Sequence, residues 1–176
     1  MSVKRIEKEI VVAASLKDVR EAWTTPAGVS TFFAPAANIE LRAGGLYEVL
    51  FSTDAPVGLQ GSEGCNILAY RPMEMLSFTW NAPPPWPEIR KERTIVVLQF
   101  YDFGKPGVRV ILTHLGFGEG REWDEVHHYF SEAWPVVLGR LKDRFEKGPI
   151  DWIEVQRARE AQARSEANKK GASDGR

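Results

Sequence analysis

A stretch of fifteen residues, GFGEGREWDEVHHYF at 116–130, places four acidic side chains beside two adjacent histidines. Residues of these types can hold a metal ion or exchange protons with a substrate. Adjacent residues of an α-helix point about 100° apart, so His127 and His128 are not expected to coordinate the same metal ion. Asp124 or Glu125 could join His128, but no third ligand is evident and one cysteine excludes a thiolate cluster. We therefore predict a helix start, where the helix dipole favours acids, and no metal.

His114 is the better candidate for chemistry. It follows Val110 and Leu112 in a segment of alternating polarity, so the three side chains should share one face of a strand. A histidine has a pKa near neutrality and could act as an acid or base, with Tyr129 as a partner. The alternative is a buried histidine that is hydrogen bonded within the core. Cys65 is expected to be a small strand hydrophobe, because no basic residue flanks it.

Length and composition restrict the class of protein. The chain has 176 residues, of which 43% are hydrophobic and 27% charged, and its net charge is −1. These values suit one soluble domain with a short appendage and give no reason to bind nucleic acid. No apolar run approaches the ~20 residues of a membrane span, and the charged N-terminus lacks the apolar core of a signal peptide. Because a single cysteine fits a reducing compartment, we expect a cytoplasmic protein. The near-neutral net charge and the lack of an apolar run give no reason to expect a membrane partner.

The first two thirds of the chain predict mainly strands. Alternating polarity predicts a first strand over 6–12, after which Ser15 begins a short helix and Thr25 with Pro26 begins a second. Six more strands are predicted at residues 38–41, 46–51, 62–70, 75–81, 94–101 and 108–115. Their connections are too short for parallel crossovers, so neighbouring strands should be antiparallel.

After Gly118 the apolar spacing changes to that of a helix. The pattern predicts a single helix of about six turns, which Pro135 should kink and Gly148 should end. The order of elements predicts an α+β fold in which a curved antiparallel sheet of about seven strands wraps the long helix. This domain is expected to occupy residues 1–148.

Residues 149–176 are expected to form a C-terminal tail. Helix-forming residues dominate it, and its few apolar side chains are Trp152, Ile153 and Val155. We predict a marginal helix that this apolar cluster docks on the domain, followed by disorder from residue 171.

Four stretches resemble one known family. They are IVVAASLKDVREAWTTPAGVSTFFAP, AGGLYEV, LSFTWNAPP and RVILTHLGFGEGREWDEVHHYFSEAWPVVLGRL, within residues 6–145. They resemble the START-like or SRPBCC superfamily, whose helix-grip fold is that of the birch-pollen-allergen-like proteins. Within it they are similar to the branch named after the C-terminal domain of the activator of the heat-shock protein 90 ATPase. The resemblance implies a cavity between sheet and long helix. It does not define a function, since members include carriers, cyclases and proteins of unknown role.

Alternation along the strands, together with large aromatic residues of the helices, indicates which side chains would face such a cavity. The predicted lining is Trp23, Phe33, Tyr47, Val49, Phe78, Trp80, Leu98, Leu112, His114, Phe130 and Trp134. A mostly apolar lining with a few polar groups is typical of a small-molecule site, and equally of a packed core. Glu21, Glu48 and Glu63 carry no sign of burial and are expected to be solvated. The loop at 82–94 is expected either to gate the cavity with Trp86 or to be a simple hairpin connection.

Three functions follow as hypotheses. The favoured one is a cytoplasmic carrier or sensor that binds a small hydrophobic molecule without a cofactor. The alternative is a cyclase, dehydratase or hydrolase that uses His114 as acid or base. The third is a chaperone-associated interaction protein, although residues 1–5 leave no room for the co-chaperone's N-terminal domain, so ATPase stimulation is not expected. A homodimer through Trp86, Trp152 or the tail is left open.

Overall fold

The computed structural model of the chain describes residues 3–105 and 107–173. Its seven strands are β1 (Arg5–Val12), β2 (Ala36–Ile39), β3 (Tyr47–Leu50), β4 (Ile67–Arg71), β5 (Met75–Trp80), β6 (Thr94–Asp102) and β7 (Val108–Leu115). Its helices are α1 (Leu16–Thr24), α2 (Pro26–Val29), α3 (Arg121–Lys147) and α4 (Trp152–Ser173), with a short 3-10 turn at Ile89–Lys91. The elements follow the predicted order.

The strands form two antiparallel sheets. Five of them lie in the order β1-β7-β6-β5-β4, and β2 pairs with β3 in a separate ribbon. Isolated bridges from Leu46 to Asn66 and from Leu50 to Gly61 join the ribbon to the segment that precedes β4. One face of the larger sheet packs on α3, which buries Trp123, Val126, Phe130, Trp134, Val137, Leu138 and Leu141. The α+β prediction of a sheet wrapped on a long helix is confirmed.

Local sequence explains the two short helices. The Ser15 hydroxyl accepts a hydrogen bond from the Asp18 N–H at 3.1 Å, and Thr25 accepts one from Gly28 at 2.9 Å. Each hydroxyl satisfies an N–H that the first helical turn leaves unpaired. Gly28 also lets α1 and α2 approach closely, because a Cβ at this position would collide with the carbonyl oxygen of Glu21.

The strand predicted at 62–70 is shorter in the structure and begins at Ile67. The Glu63 carboxylate accepts three backbone N–H bonds from the preceding loop, at 2.7, 2.9 and 2.8 Å. Gly64 then adopts a φ of 76°, which side chains disfavour. These contacts hold the segment as a turn rather than a strand. The Glu63 side chain is only 17% exposed, so the expectation that it is solvated is wrong.

Helix α3 extends without interruption through Pro135 to Lys147, and Gly148 follows it with a φ of 99°. The predicted end of the helix is therefore confirmed. Pro135 lies on the exposed face while its neighbour Trp134 is buried. The apolar stripe on either side of the proline thus packs on the sheet as one surface.

The C-terminal segment is anchored mainly by Trp152. Its indole N–H donates to the Ser30 carbonyl at 2.6 Å, and the Arg140 guanidinium lies 5.6 Å from its ring centre. The N–H of Ile150 donates to the Thr31 carbonyl at 2.9 Å. Ile153, by contrast, is 65% exposed and does not dock the helix as expected. The predicted disorder from residue 171 falls in part on residues 174–176, outside the described residues.

We predict that Trp152→Ala releases α4 while Ile153→Ala does not. The first change removes a hydrogen bond and a cation–π contact, so amide exchange within residues 153–170 should accelerate about tenfold. Hydrogen–deuterium exchange with mass spectrometry measures this, with β6 peptides as an internal reference. Equal protection of α4 in the two variants would contradict the anchoring role of Trp152.

Candidate functional site

A cavity of about 350 Å³ lies between α3, the end of β5 and the loops that follow β3 and β5. Its apolar lining includes Phe33, Phe51, Trp80, Phe130 and Trp134, which we call the aromatic wall. Its rim includes Pro83, Pro84, Arg90, Arg140 and Arg159. The exposed Arg159 marks the side on which the cavity meets solvent. We refer to this space as the aromatic cavity.

The rings of the aromatic wall contact one another continuously. Trp80 lies at its centre, stacked on Phe33 at 5.7 Å between ring centres and tilted against Trp134 at 5.7 Å. Trp134 in turn stacks on Phe130 at 6.1 Å. Such offset and tilted pairs are favourable geometries for aromatic rings. The wall is therefore a continuous set of packed rings along one side of the cavity.

The structure divides the predicted lining into two groups. Phe33, Trp80, Phe130 and Trp134 line the aromatic cavity. The other seven residues are fully buried and do not line it: Trp23, Tyr47, Val49, Phe78, Leu98, Leu112 and His114. Alternation identified the correct face of each strand, but it does not indicate which part of that face is covered by other side chains.

Tyr47 shows how the core uses its polar groups. Its hydroxyl donates to the Trp23 carbonyl at 2.8 Å, and its ring stacks on Phe78 with centres 4.0 Å apart. Burial raises the pKa of Tyr47 well above its ordinary value. The phenol is thus held neutral and is already hydrogen bonded, which suits a structural role.

His114 lies at the centre of a buried chain of hydrogen bonds. The Trp134 indole N–H donates to His114 Nδ1 at 3.0 Å. Because an indole can only donate, Nδ1 must be unprotonated, and the neutral ring carries its proton on Nε2. That N–H donates to the Thr94 hydroxyl at 2.7 Å, which donates onward to the Trp80 carbonyl at 3.3 Å. We call this arrangement the His114 chain.

The electrostatic surroundings keep His114 neutral. Burial lowers its pKa to about 3, an effect to which the nearby His127 contributes as a positive neighbour. The ring is also enclosed by Phe117 and Phe130, with centres 4.5 and 4.7 Å away. Tyr129, its predicted partner, is 43% exposed and lies against Trp86. Among the residues that the structure describes, the side chains bonded to His114 are Thr94 and Trp134, neither of which is an acid or base, and these bonds position Trp134.

Arg90 is a rim residue that was not predicted from the sequence. Its guanidinium donates to the carbonyls of Ala82, Gly61 and Gly58 at 2.6, 2.6 and 2.8 Å and pairs with Glu63 at 3.2 Å. These bonds tie the loop after β3 to the loop after β5. Burial lowers the pKa of Arg90, an effect that Glu63 opposes. No sequence signal reveals this pair, because its members lie far apart in the chain and only the fold joins them.

Trp86 lies on the outer surface of α3, beside the rim. Its indole N–H donates to the Glu125 carboxylate at 3.4 Å, and its ring centre lies 5.7 Å from that of Tyr129. The neighbouring Pro83 and Pro84 form part of the rim. The loop thus contacts the helix next to the opening, and its gating role stays a prediction.

Two of the four acids that precede the two histidines form ion pairs with basic residues of the chain. Asp124 pairs with Lys4 at 2.7 Å and Glu125 with Arg121 at 3.0 Å. Among the described residues, no group of three or more histidine, cysteine, aspartate or glutamate side chains could hold a metal ion. Burial raises the pKa of the Cys65 thiol to about 11, so this cysteine is not an activated nucleophile.

The geometry and the family comparison agree on the class of protein. An antiparallel sheet gripping a long C-terminal helix defines a helix-grip protein of the SRPBCC superfamily. Residues 13–146 match the family model described as Activator of Hsp90 ATPase homolog 1-like protein, and the chain belongs to that family. A search of the curated proteins finds no significant match. In the part of the chain that the structure describes, no helix is long and apolar enough to cross a membrane.

Solved structures show the same fold at low sequence identity. MLL2253 from Mesorhizobium loti is 16% identical with a TM-score of 0.66, over 84% of this chain and 100% of that one. The Aha1 dimer from Colwellia psychrerythraea is 19% identical with a TM-score of 0.62, over 82% and 98% of the two chains. The AHSA1-like protein RHE_CH02687 from Rhizobium etli is 20% identical with a TM-score of 0.60, over 85% and 87%.

The His114 chain predicts a specific dependence of stability on pH. The folded pKa of about 3 lies below the ordinary histidine pKa, so between pH 6.5 and 3 only the unfolded state gains this proton. The free energy of unfolding should therefore decrease as the pH falls through that window, by about 1.4 kcal/mol for each unit.

His114→Gln should remove this contribution, because an amide can accept from Trp134 and donate to Thr94 without titrating. Urea unfolding at pH 7, 6 and 5 measures the free energy of unfolding of both proteins. As the pH falls, this free energy should decrease less in the variant than in the wild type. Parallel profiles of the wild type and the variant would show that His114 is not buried in the neutral form.

Proposed function

We propose that the chain binds a small, largely apolar molecule in the aromatic cavity and acts as its carrier or sensor. The observation that supports this most directly is the cavity itself, about 350 Å³ and bounded by the aromatic wall. Small-molecule sites commonly have volumes of roughly 300–1,000 Å³ and a mostly apolar lining with few polar groups. The family relation is consistent with this role, since the helix-grip superfamily includes ligand carriers.

The composition of the lining favours binding over catalysis. Among the described residues, the polar side chains of the lining are three arginines, Ser52, Gln60, Asn81 and Tyr129, with no carboxylate, histidine or thiol. An arginine remains charged at any accessible pH and is not a general base. Acid–base chemistry requires positioned groups that can change protonation near neutral pH. His114 does not meet this requirement, because it is buried in the core and its pKa is far below neutrality. We assign it the role of positioning Trp134.

The remaining parts of the proposal rest on sequence alone. We propose a cytoplasmic location because the chain has a single cysteine, Cys65. Self-association stays a prediction, which light scattering on the purified protein tests. The Colwellia relative is described as a dimer, but its low identity shows only the shared fold.

Ala133→Trp should close the aromatic cavity. Ala133 is half-buried on α3 and lines the cavity, so an indole there would occupy the space that a ligand needs. The neutral fluorescent probe N-phenyl-1-naphthylamine should bind the wild type and lose at least about tenfold in affinity for the variant. Lys142→Trp adds the same side chain to an exposed position of α3 and serves as the matched control.

The control should bind the probe within about twofold of the wild type, and circular dichroism should show both variants folded. Equal probe binding by the wild type and Ala133→Trp would place the probe elsewhere and refute the proposed site.

Native mass spectrometry of protein purified from its own host identifies the ligand. The folded wild type should carry a mass excess that disappears on denaturation. Ala133→Trp, purified in the same way, should carry none, because its cavity is closed. An identical excess on both proteins would mean that the molecule is bound outside the aromatic cavity.

A further inference from the structure

Two guanidinium groups share the rim of the aromatic cavity. Arg140 is half-buried on α3, one turn beyond Val137, and the exposed Arg159 reaches the same rim from α4. We infer that these two arginines bind the anionic end of the ligand, and that the cavity takes an amphipathic carboxylate. Its apolar body would lie against the aromatic wall and its carboxylate against Arg140 and Arg159. The inference rests on the proposed function, since it names the class of ligand for the same cavity.

The third arginine of the rim provides the contrast. Arg90 is saturated by three backbone carbonyls and Glu63, so its charge is used by the fold. Among the described residues, Arg140 has no carboxylate close enough to raise its pKa. Its one described partner is the Trp152 ring, 5.6 Å from the guanidinium carbon. A ring contact engages the face of the guanidinium and leaves its N–H edge available to an acceptor.

The electrostatics of the pair also favour an anion. Burial lowers the pKa of Arg140, and the positive charge of Arg159 lowers it further. Because both arginines line the same cavity, the folded protein holds two like charges at one rim, and Arg140 is partly desolvated. An anion between them would relieve the repulsion and satisfy the open donors. The planar fork of a guanidinium can donate two parallel hydrogen bonds to the oxygens of a carboxylate.

Helix α4 brings Arg159 to the rim. From Gln156 to Lys170 every residue of this helix is exposed, so no apolar face explains why it follows the domain. Its anchor is Trp152, the residue on which Arg140 also stacks. The helix is thus held at one end and carries the Arg159 guanidinium beside the cavity. Arg159 is the residue of α4 that lines the cavity.

A matched pair of compounds tests the inference. 1-Naphthaleneacetate and 2-(1-naphthyl)ethanol share one ring system and differ in bearing a carboxylate or a hydroxyl. Each competes with N-phenyl-1-naphthylamine for the wild type, Arg140→Gln, Arg159→Gln and Arg157→Gln. Arg157 is an exposed neighbour on α4 that does not line the cavity, so its variant controls for the loss of one positive charge.

The carboxylate should bind the wild type about tenfold more tightly than the alcohol, as expected for a charge-assisted hydrogen bond in a partly buried site. Arg140→Gln should abolish most of this preference, and the more exposed Arg159→Gln should reduce it by about two- to threefold. The alcohol should bind all four proteins alike. Added salt should lower the affinity of the protein for the carboxylate and leave its affinity for the alcohol unchanged.

Two results would overturn the inference while leaving the cavity as a binding site. They are equal binding of carboxylate and alcohol to the wild type, and a carboxylate preference that survives in Arg140→Gln. If instead N-phenyl-1-naphthylamine does not bind the wild type at all, the proposed function fails, and the inference fails with it.

Discussion

The hydrogen bond between the Trp134 indole and His114 Nδ1 connects the core of this protein to its candidate site. Trp134 belongs both to the aromatic wall and to the His114 chain. Its position is fixed by the hydrogen bond that its indole N–H donates to the neutral imidazole of His114. The imidazole is fixed in turn by Thr94, whose hydroxyl bonds to the backbone of Trp80, the central ring of the wall. A buried polar chain in which every donor and acceptor is used specifies one arrangement of its members.

This constraint explains how aromatic side chains can border a cavity without filling it. Apolar groups next to a space tend to close it, because atoms that face a void have no packing partner on that side. Trp134 cannot move into the cavity without leaving His114 Nδ1 unpaired in the core, which would cost about 1–3 kcal/mol. The rim is held in a different way, by the bonds of Arg90 to the two loops around it. The cavity thus stays open because of two sets of polar interactions, the hydrogen bond between Trp134 and His114 and the bonds of Arg90 to the loops of the rim.

Sequence patterns predicted the order of the elements and most of their bounds, but they did not predict the contacts that form the site. Period-two alternation located β6 and β7 and placed His114 on the inner face, and helical spacing located α3 with its buried stripe. The partners of His114 lie 20 residues away on either side, on another strand and on the long helix. Only the register that sets Val96 opposite His114 and the docking of α3 bring them together.

The same limit applies to the charged residues of the rim. Glu63 was expected to be a solvated strand residue, because nothing nearby in sequence shows that its carboxylate caps a loop and meets Arg90. Arg140 and Arg159 belong to different helices, so their proximity is a property of the fold. Local patterns report what a segment can form alone, whereas long-range pairing between polar side chains depends on tertiary structure.

A crystal structure of the protein soaked with iodobenzene tests whether the aromatic cavity binds a ligand, because the anomalous signal of iodine locates the molecule unambiguously. We expect an iodine peak within the cavity bounded by Phe33, Trp80 and Trp134, with the Trp134 indole still bonded to His114. A cavity closed by the side chains of its own wall, with Trp134 detached from His114 and no iodine among the rings, would contradict it.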